Sequence, residues 1–370
     1  MSPAEMSSRI DGFCNTFDLR IPVLMAPMAG ACPPELVIAV ADAGGMGACG
    51  ALMMQPDDIA GWVSRVRAGT NGAFQINTWV PDPAPERDEA REFAMRTFLA
   101  SWGPEVPEDA GKQVVPDFDA QCAAMLAAGP HAVSSIMGLF PPDFVAELKH
   151  RQIKWLATVT TVAEARAAEA AGADAVIAQG MEAGGHRGAF TSAQAETMMV
   201  GLFSLLPAIA DAVSVPVVAA GGIADARGAA AAFILGASAI QVGTALLRSP
   251  EADINPAWRE ALARARPEDT VATRAFSGRL GRSLRNAFVE AVSAPDGPAL
   301  APYPVQRGLT RVMREEAAKT SDINRMQTWA GQSAGLARAV SACEIVTDLW
   351  AGAQGVLLKN VNRKGLTSAG

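Results

Sequence analysis

The chain has 370 residues and a mass of 38.4 kDa, is 50% hydrophobic, and carries a net charge of −7 with a pI of about 5.2. That length suits one large α/β barrel or two ordinary domains, and the acidic balance argues against nucleic-acid or membrane-surface partners. The first twenty residues hold no apolar run of signal-peptide length, no stretch of about eighteen apolar residues occurs, and five scattered cysteines (Cys14, Cys32, Cys49, Cys122, Cys343) make neither a disulfide framework nor a zinc site, so a cytoplasmic protein is expected.

An apolar run over residues 21–28 (IPVLMAPM) reads as a first strand, and Pro33-Pro34 opens a helical stretch that Gly44-Gly45 stops. Residues 46–52 form a second strand and lead into a helix carrying Ile59, Trp62, Val63 and Val66. Residues 73–80 (AFQINTWV) give a third strand with Asn77 near its end. Continuous apolar runs of this kind are what parallel strands buried on both faces look like. The rhythm breaks at 81–118, a charged, Pro-rich insertion with one helical piece near 86–99. It resumes with a helix at 119–128, a strand at 132–138, a helix from Pro141-Pro142 to His150, and a strand at 153–159. Thr161-Val162-Ala163-Glu164 has the form of a capping box, and the helix it starts stops at Gly172.

A sixth strand, 175–179, empties into the loop 178–188 (AQGMEAGGHRG). A helix with Leu202, Leu205, Leu206 and Ile209 follows, then a strand at 215–220 running into Gly221-Gly222, a helix from Asp225 to Gly236, and a strand at 239–247. An internal echo supports the layout: AEAR before GADAVIAQG resembles ADAR before GASAIQVGT. Eight strands alternating with helices over 15–250 fit a (β/α)8 TIM barrel, with a doubly wound open sheet as the alternative. After Pro250 the alternation stops. Helical stretches near 257–266 and 309–319 flank a basic segment with Arg274, Arg279, Arg282 and Arg285. Residues 251–345 are therefore expected to form a small, mostly helical C-terminal appendage over one rim, with the chain end free to return to the barrel.

The loop after the sixth strand concentrates the chemistry. Its four glycines permit positive φ and close approach of backbone to a ligand, and among them stand Gln179, Glu182, His186 and Arg187. An imidazole titrates near neutral pH, so His186 is the candidate acid or base. The glycine loops after strands seven and eight, Gly221-Gly222 and Gln241-Val242-Gly243-Thr244, offer backbone amides where barrels hold phosphates. Neither is a P-loop, and no G-x-G-x-x-G precedes a helix, so ATP and a Rossmann-bound dinucleotide are not expected. A wide rim of amides and small residues suits a flat aromatic ligand with a phosphate tail, as flavin mononucleotide has.

These segments together resemble one family. APM at 26–28, AVADAGGMG at 39–47, AQGMEAGGHRG at 178–188, PVVAAGGIADARG at 216–228 and GASAIQVGTALL at 236–247 are similar to class I nitronate monooxygenases, and so are FSGRLGRSLRN at 276–286, Tyr303-Pro304 and WAGQ at 329–332. The resemblance covers nearly the whole chain. It implies an FMN-containing barrel that oxidises alkyl nitronates such as propionate 3-nitronate with O2 to a carbonyl compound and nitrite. It further implies that Ala26, Met28 and Asn77 contact the flavin, Gln179 and Gly184 its ring side, Gly221 and Gly222 the ribityl phosphate, and Gln241, Gly243 and Thr244 the phosphate. By the same resemblance His186 faces the substrate and Tyr303 reaches in from the appendage, in a monomer or homodimer that needs no metal.

Two places depart from the family pattern. Ser135-Ile136-Met137 stand where relatives carry a histidine and aromatics, and Arg307 and Arg311 where relatives tend to show a tyrosine and a lysine. Both bear on substrate identity. The nearest alternative is a flavin-dependent enoyl-acyl-carrier-protein reductase or related NAD(P)H-dependent oxidoreductase. A dehydrogenase of the inosine-monophosphate type would want a nucleophilic cysteine in a glycine loop, and only Cys32 comes near that. A non-catalytic flavin- or phosphate-binding barrel is the alternative from another class.

Overall fold

The computed structural model describes residues 3–113 and 115–365. Its strands are β1 (Val23–Met25), β2 (Gly47–Gly50), β3 (Phe74–Trp79), β4 (Ala132–Ile136), β5 (Lys154–Val159), β6 (Ala175–Gln179), β7 (Gly185–His186), β8 (Val217–Ala220), β9 (Ala239–Val242), β10 (Thr270–Thr273) and β11 (Gly281–Leu284). All but β7, β10 and β11 form one parallel sheet in the order β1-β9-β8-β6-β5-β4-β3-β2. The two ends of that order meet: Leu24 bridges Met46, the Met25 amide donates to the Met46 carbonyl at 2.8 Å, and the Met46 amide donates to the Val23 carbonyl at 3.1 Å. The sheet thus rolls into the expected (β/α)8 barrel.

Several strands are shorter than their apolar runs, for local reasons. β4 ends at Ile136 because Met137 takes a φ of +71°, which no strand accommodates. β9 stops at Val242 and gives way to a turn of 3-10 helix over Thr244–Leu246, so Leu246 and Leu247 are buried in a loop rather than a ladder.

The floor of the barrel is closed by a helix over Pro3–Phe17, which the mixed composition of that segment does not announce. Phe13 and Phe17 stack with ring centroids 4.5 Å apart and fill the space beneath Leu24, Met46, Ala132, Leu156, Ala175, Val218 and Ala239. Burying each ring is worth about 1.5–3 kcal/mol. On the outside, the long helix Ala342–Gly365 packs through Ile345, Val346, Leu349 and Ala353 against the helices Ala226–Ile234 and Pro34–Asp42, in the gap between the last barrel strand and the first.

The opposite rim carries the rest of the chain. Met95 and Leu99, on the helix Glu89–Leu99, and Val106 share one apolar cluster with Phe276, Phe288, Val289, Val305, Leu309 and Met313. The segment after β3 and the chain after β9 are therefore one packed lid. A buried ion pair ties them again: Arg279 Nε and Nη2 donate to Asp82 at 2.7 and 2.6 Å. Besides helices over Pro256–Arg264, Ala287–Ser293, Val305–Leu309 and Arg311–Thr320, the lid contains a small antiparallel sheet, β10-β11-β7. The basic segment supplies β11, and the loop after β6 supplies β7, so the sheet stitches that loop to the lid.

Candidate active site

A cavity of about 410 Å3 opens at the C-terminal ends of the barrel strands, beneath the lid. Its walls include Ala26, Met28, Asn77, Gln179, Gly184, His186, Gly221, Gly222, Gln241, Gly243 and Thr244, so every residue expected at the cofactor, together with the candidate acid or base, lies in one chamber. Tyr303 does not line it. The tyrosine ring stands behind Trp79, 5.0 Å between centroids, and forms the wall of an adjoining cavity with Asp82, Arg274 and Pro302. Among the described residues its hydroxyl is buried without a partner, and burial pushes its pKa up to about 12.

One end of the chamber is made of backbone. Gly221 and Gly222 turn the chain with φ of +112° and +71°, the first in a region that side-chain-bearing residues scarcely enter. Among the described hydrogen bonds the amides of Gly222, Gly243 and Thr244 meet no acceptor. The helix that follows is already capped, because Asp225 accepts from the Arg227 and Gly228 amides at 3.0 Å each. An anion here would therefore be held by the loop amides rather than by the helix start. Thr244 accepts from the Gly331 amide at 3.0 Å, which leaves its hydroxyl proton free to donate. Uncommitted amides beside a chamber with many apolar lining residues fit the phosphate and ring of a flavin nucleotide.

The other end is made of side chains from separate segments. His186 sits between Trp79 and Trp329, with ring centroids 4.6 and 4.7 Å away, and its Nε2 lies 2.8 Å from Ser277 Oγ. Its backbone is fixed by Gln179: the side-chain amide donates to the His186 carbonyl at 3.0 Å, and the side-chain oxygen accepts from the Gly188 amide at 2.8 Å. Of the four polar residues that stand out in the loop, three are thus committed to structure. Glu182 caps the helix Leu202–Ala210 by accepting from the Leu202 amide, and Arg187 donates to the carbonyls of Gln179, Thr160 and Met198. His186 alone keeps a nitrogen for the chamber.

Two further guanidinium groups reach the same chamber. Arg314 is spent on neutral acceptors: Thr310 Oγ1 at 3.1 Å, Gln327 Oε1 at 3.2 Å and the Arg307 carbonyl at 2.9 Å. Arg307 Nε is buried with no acceptor, and so is Gln327 Nε2. Neither arginine has a carboxylate partner among the described ion pairs, whereas Arg311 turns away to pair with Glu315 at the surface. Burial lowers the pKa of both, that of Arg314 to about 9, so they stay charged at neutral pH. Burial first, and then the charges of Arg307, Arg279 and Arg314, push His186 down to about 3. The resting site is therefore a neutral imidazole beside two cations, and its chemistry calls for an anion.

Trp79, Arg314 and Gln327 carry no motif of their own, and Ser277 lies in FSGRLGRSLRN without standing out there as a site residue. Trp79 follows Asn77 by two residues on β3, so strand alternation puts both on one face, whereas Arg307 and Arg314 come from two successive helices, Val305–Leu309 and Arg311–Thr320. Ile136, at one of the two places that depart from the family pattern, lines the chamber and makes that wall apolar.

A family model described as nitronate monooxygenase matches residues 13–352. A protein of Staphylococcus saprophyticus named probable nitronate monooxygenase is 34% identical over 351 residues, spanning 93% of this chain and 97% of that one. Another so named, from Staphylococcus aureus, is 35% identical over 334 residues, or 90% of this chain and 94% of its own. Among solved structures, nitroalkane oxidase from Streptomyces ansochromogenes superposes with a TM-score of 0.86 at 35% identity, covering 94% of this chain and 99% of that one. FabK from Thermotoga maritima superposes with a TM-score of 0.75 at 31% identity, covering 95% and 98%. The matched span takes in the barrel, the loop bearing His186 and the lid that faces it. This chain is accordingly an oxidoreductase and belongs to the nitronate monooxygenase family.

Proposed function

We propose that the chain binds FMN and oxidises alkyl nitronates with O2 to a carbonyl compound and nitrite. The observation that carries this reading is the pair of half-buried guanidinium groups, Arg307 and Arg314, facing a neutral His186, with no carboxylate paired to either among the described ion pairs. A nitronate is an anion already activated at carbon, so the protein has to hold and orient it rather than create it. The uncommitted amides of Gly222, Gly243 and Thr244 would hold the FMN phosphate, and Ala26, Met28 and Asn77 would pack against its ring. FMN, when bound, takes electrons from the substrate and delivers them to O2. Arg307 and Arg314 would balance the negative charge of the nitro group, and Trp79 and Trp329 would keep water from the reacting carbon. Tyr303 would act on the substrate through Trp79.

The experiment is an absorbance titration of the purified protein under anaerobic conditions with propionate 3-nitronate. Loss of the visible flavin bands on nitronate alone supports the reading. Bands that respond only to NADH would turn it toward NAD(P)H-dependent reduction, the alternative left by the sequence. A colourless protein that takes up no FMN would overturn both. His186→Ala should keep its flavin yet lose on the order of 100-fold in turnover of a neutral nitroalkane, the usual scale for a general base.

A further inference from the structure

Ser277 is fully buried, lies outside the chamber, and meets three groups with a single proton to give. Its Oγ is 2.8 Å from His186 Nε2, 3.2 Å from the Arg279 carbonyl and 3.3 Å from the Arg279 amide. The amide can only donate, so Ser277 accepts there. The Arg279 carbonyl is buried, can only accept, and has no other donor among the described hydrogen bonds. Leaving such a group unmet costs about 1–3 kcal/mol. The hydroxyl proton is therefore committed to that carbonyl, and the oxygen is left to accept from the ring.

We propose that Ser277 is a positioning residue that holds His186 in the Nε2–H form and so makes Nδ1 the proton-accepting atom of the site. Among the described residues nothing bonds Nδ1, Trp79 and Trp329 cover the ring, and the ring lines the chamber, so Nδ1 is the nitrogen left to meet a ligand. The inference rests on the proposed function and extends it to neutral nitroalkanes. The α-carbon C–H bond breaks, its electron pair stays on the carbon and nitro group as the nitronate, and the proton passes to Nδ1. The imidazolium that results keeps its Nε2–H on Ser277. Burial and the charges of Arg307, Arg279 and Arg314 disfavour that cation, but the nitronate formed beside it reverses the balance. The same geometry makes the resting ring an acceptor at Nδ1 rather than a donor, so a preformed nitronate relies on the guanidinium groups instead.

The test has two readouts. The chain has only three histidines, so 15N-labelled holoprotein, with His186→Asn as the difference, gives the ring nitrogens of His186 directly by long-range correlation at neutral pH. The Nε2–H pattern is expected. An Nδ1–H ring would overturn the proposal. In kinetics, Ser277→Ala should lower kcat/KM for a neutral nitroalkane at least tenfold more than for the matching nitronate, and Ser277→Thr, which keeps the hydroxyl, should restore the ratio. Equal losses on both substrates would reduce Ser277 to packing and sink the idea. Should the alanine variant fail to fold, the wild-type spectrum still decides. Should the holoprotein ignore nitronates altogether, the proposed function falls while the tautomer is still read.

Discussion

The two ends of the chamber are built by different means. The end at Gly221, Gly222, Gly243 and Thr244 is backbone, presented by contiguous loops at the ends of β8 and β9. The end at His186 is side chain, and its parts come from β3, the loop after β6, and three places in the lid. A backbone surface can hold any ligand with a phosphate in the right place, and it tolerates drift in neighbouring side chains. A side-chain surface fixes what reacts, and one substitution rewrites it. Cofactor affinity and substrate choice should then fail separately when each end is changed.

The largest effect is expected at the backbone end. Gly221→Val asks a β-branched residue to adopt a φ of +112°. Strain of this kind costs about 1–3 kcal/mol, and relief by moving the loop would remove the amides from the phosphate. Flavin content should fall by roughly 10- to 100-fold in affinity while the far-UV spectrum stays native, measured by flavin release on dilution. A variant that kept its flavin but lost nitronate turnover would break the separation between the two ends.

Arg307→Leu is the matching change at the side-chain end. Removing a half-buried guanidinium whose Nε is unmet and which has no carboxylate among the described ion pairs should leave thermal stability unchanged or higher. The KM for a nitronate should rise about 10- to 100-fold, the scale of losing a charged contact in a dry site, with flavin content unaffected. A variant with unchanged KM and lower stability would show that Arg307 serves the lid and not the substrate.

The smallest effect is in pH. His186 is pushed from its ordinary value of 6.5 to about 3 in the folded chain, so on acidification the unfolded chain takes up that proton first. The stability tied to neutral His186 is complete above about pH 6.5 and is lost as pH falls toward 3, by at most about 1.4 kcal/mol per pH unit. Urea unfolding at two pH values, compared with His186→Gln, should show the variant less sensitive to acid. In the same window kcat/KM for a preformed nitronate should lack an inflection near 6.5 that belongs to the enzyme.

How far the sequence reveals this molecule follows the same division. The barrel is legible because buried parallel strands write continuous apolar runs and because Gly172 and Gly236 punctuate helix ends. The backbone end is legible because glycine loops directly follow those strands. The side-chain end is only partly so. His186 stands out in a glycine-rich loop, but Ser277, although inside FSGRLGRSLRN, and Arg314 gain their roles only when the lid folds over the rim. The β11 strand escapes notice because GRSL is short, and its partners are the equally short β10 and two residues of a distant loop. The helix Pro3–Phe17 escapes because its apolar residues are few, although two of them, Phe13 and Phe17, close the floor.

The helix Ala342–Gly365 has a consequence for how the chain is made. It fills the gap between β9 and β1 on the barrel wall, yet the larger part of the lid, all but the segment after β3, is synthesised between Val242 and Ala342. At about 5–20 residues per second, the ribosome needs on the order of ten seconds to cross that stretch. During that time the nascent barrel has all its strands but an unsealed seam, with Val37, Val40 and Phe233 lacking the apolar face that will cover them. Closing the seam therefore waits for a single helix, and a chaperone that shields it would act after the chain beyond β9 has been made rather than before.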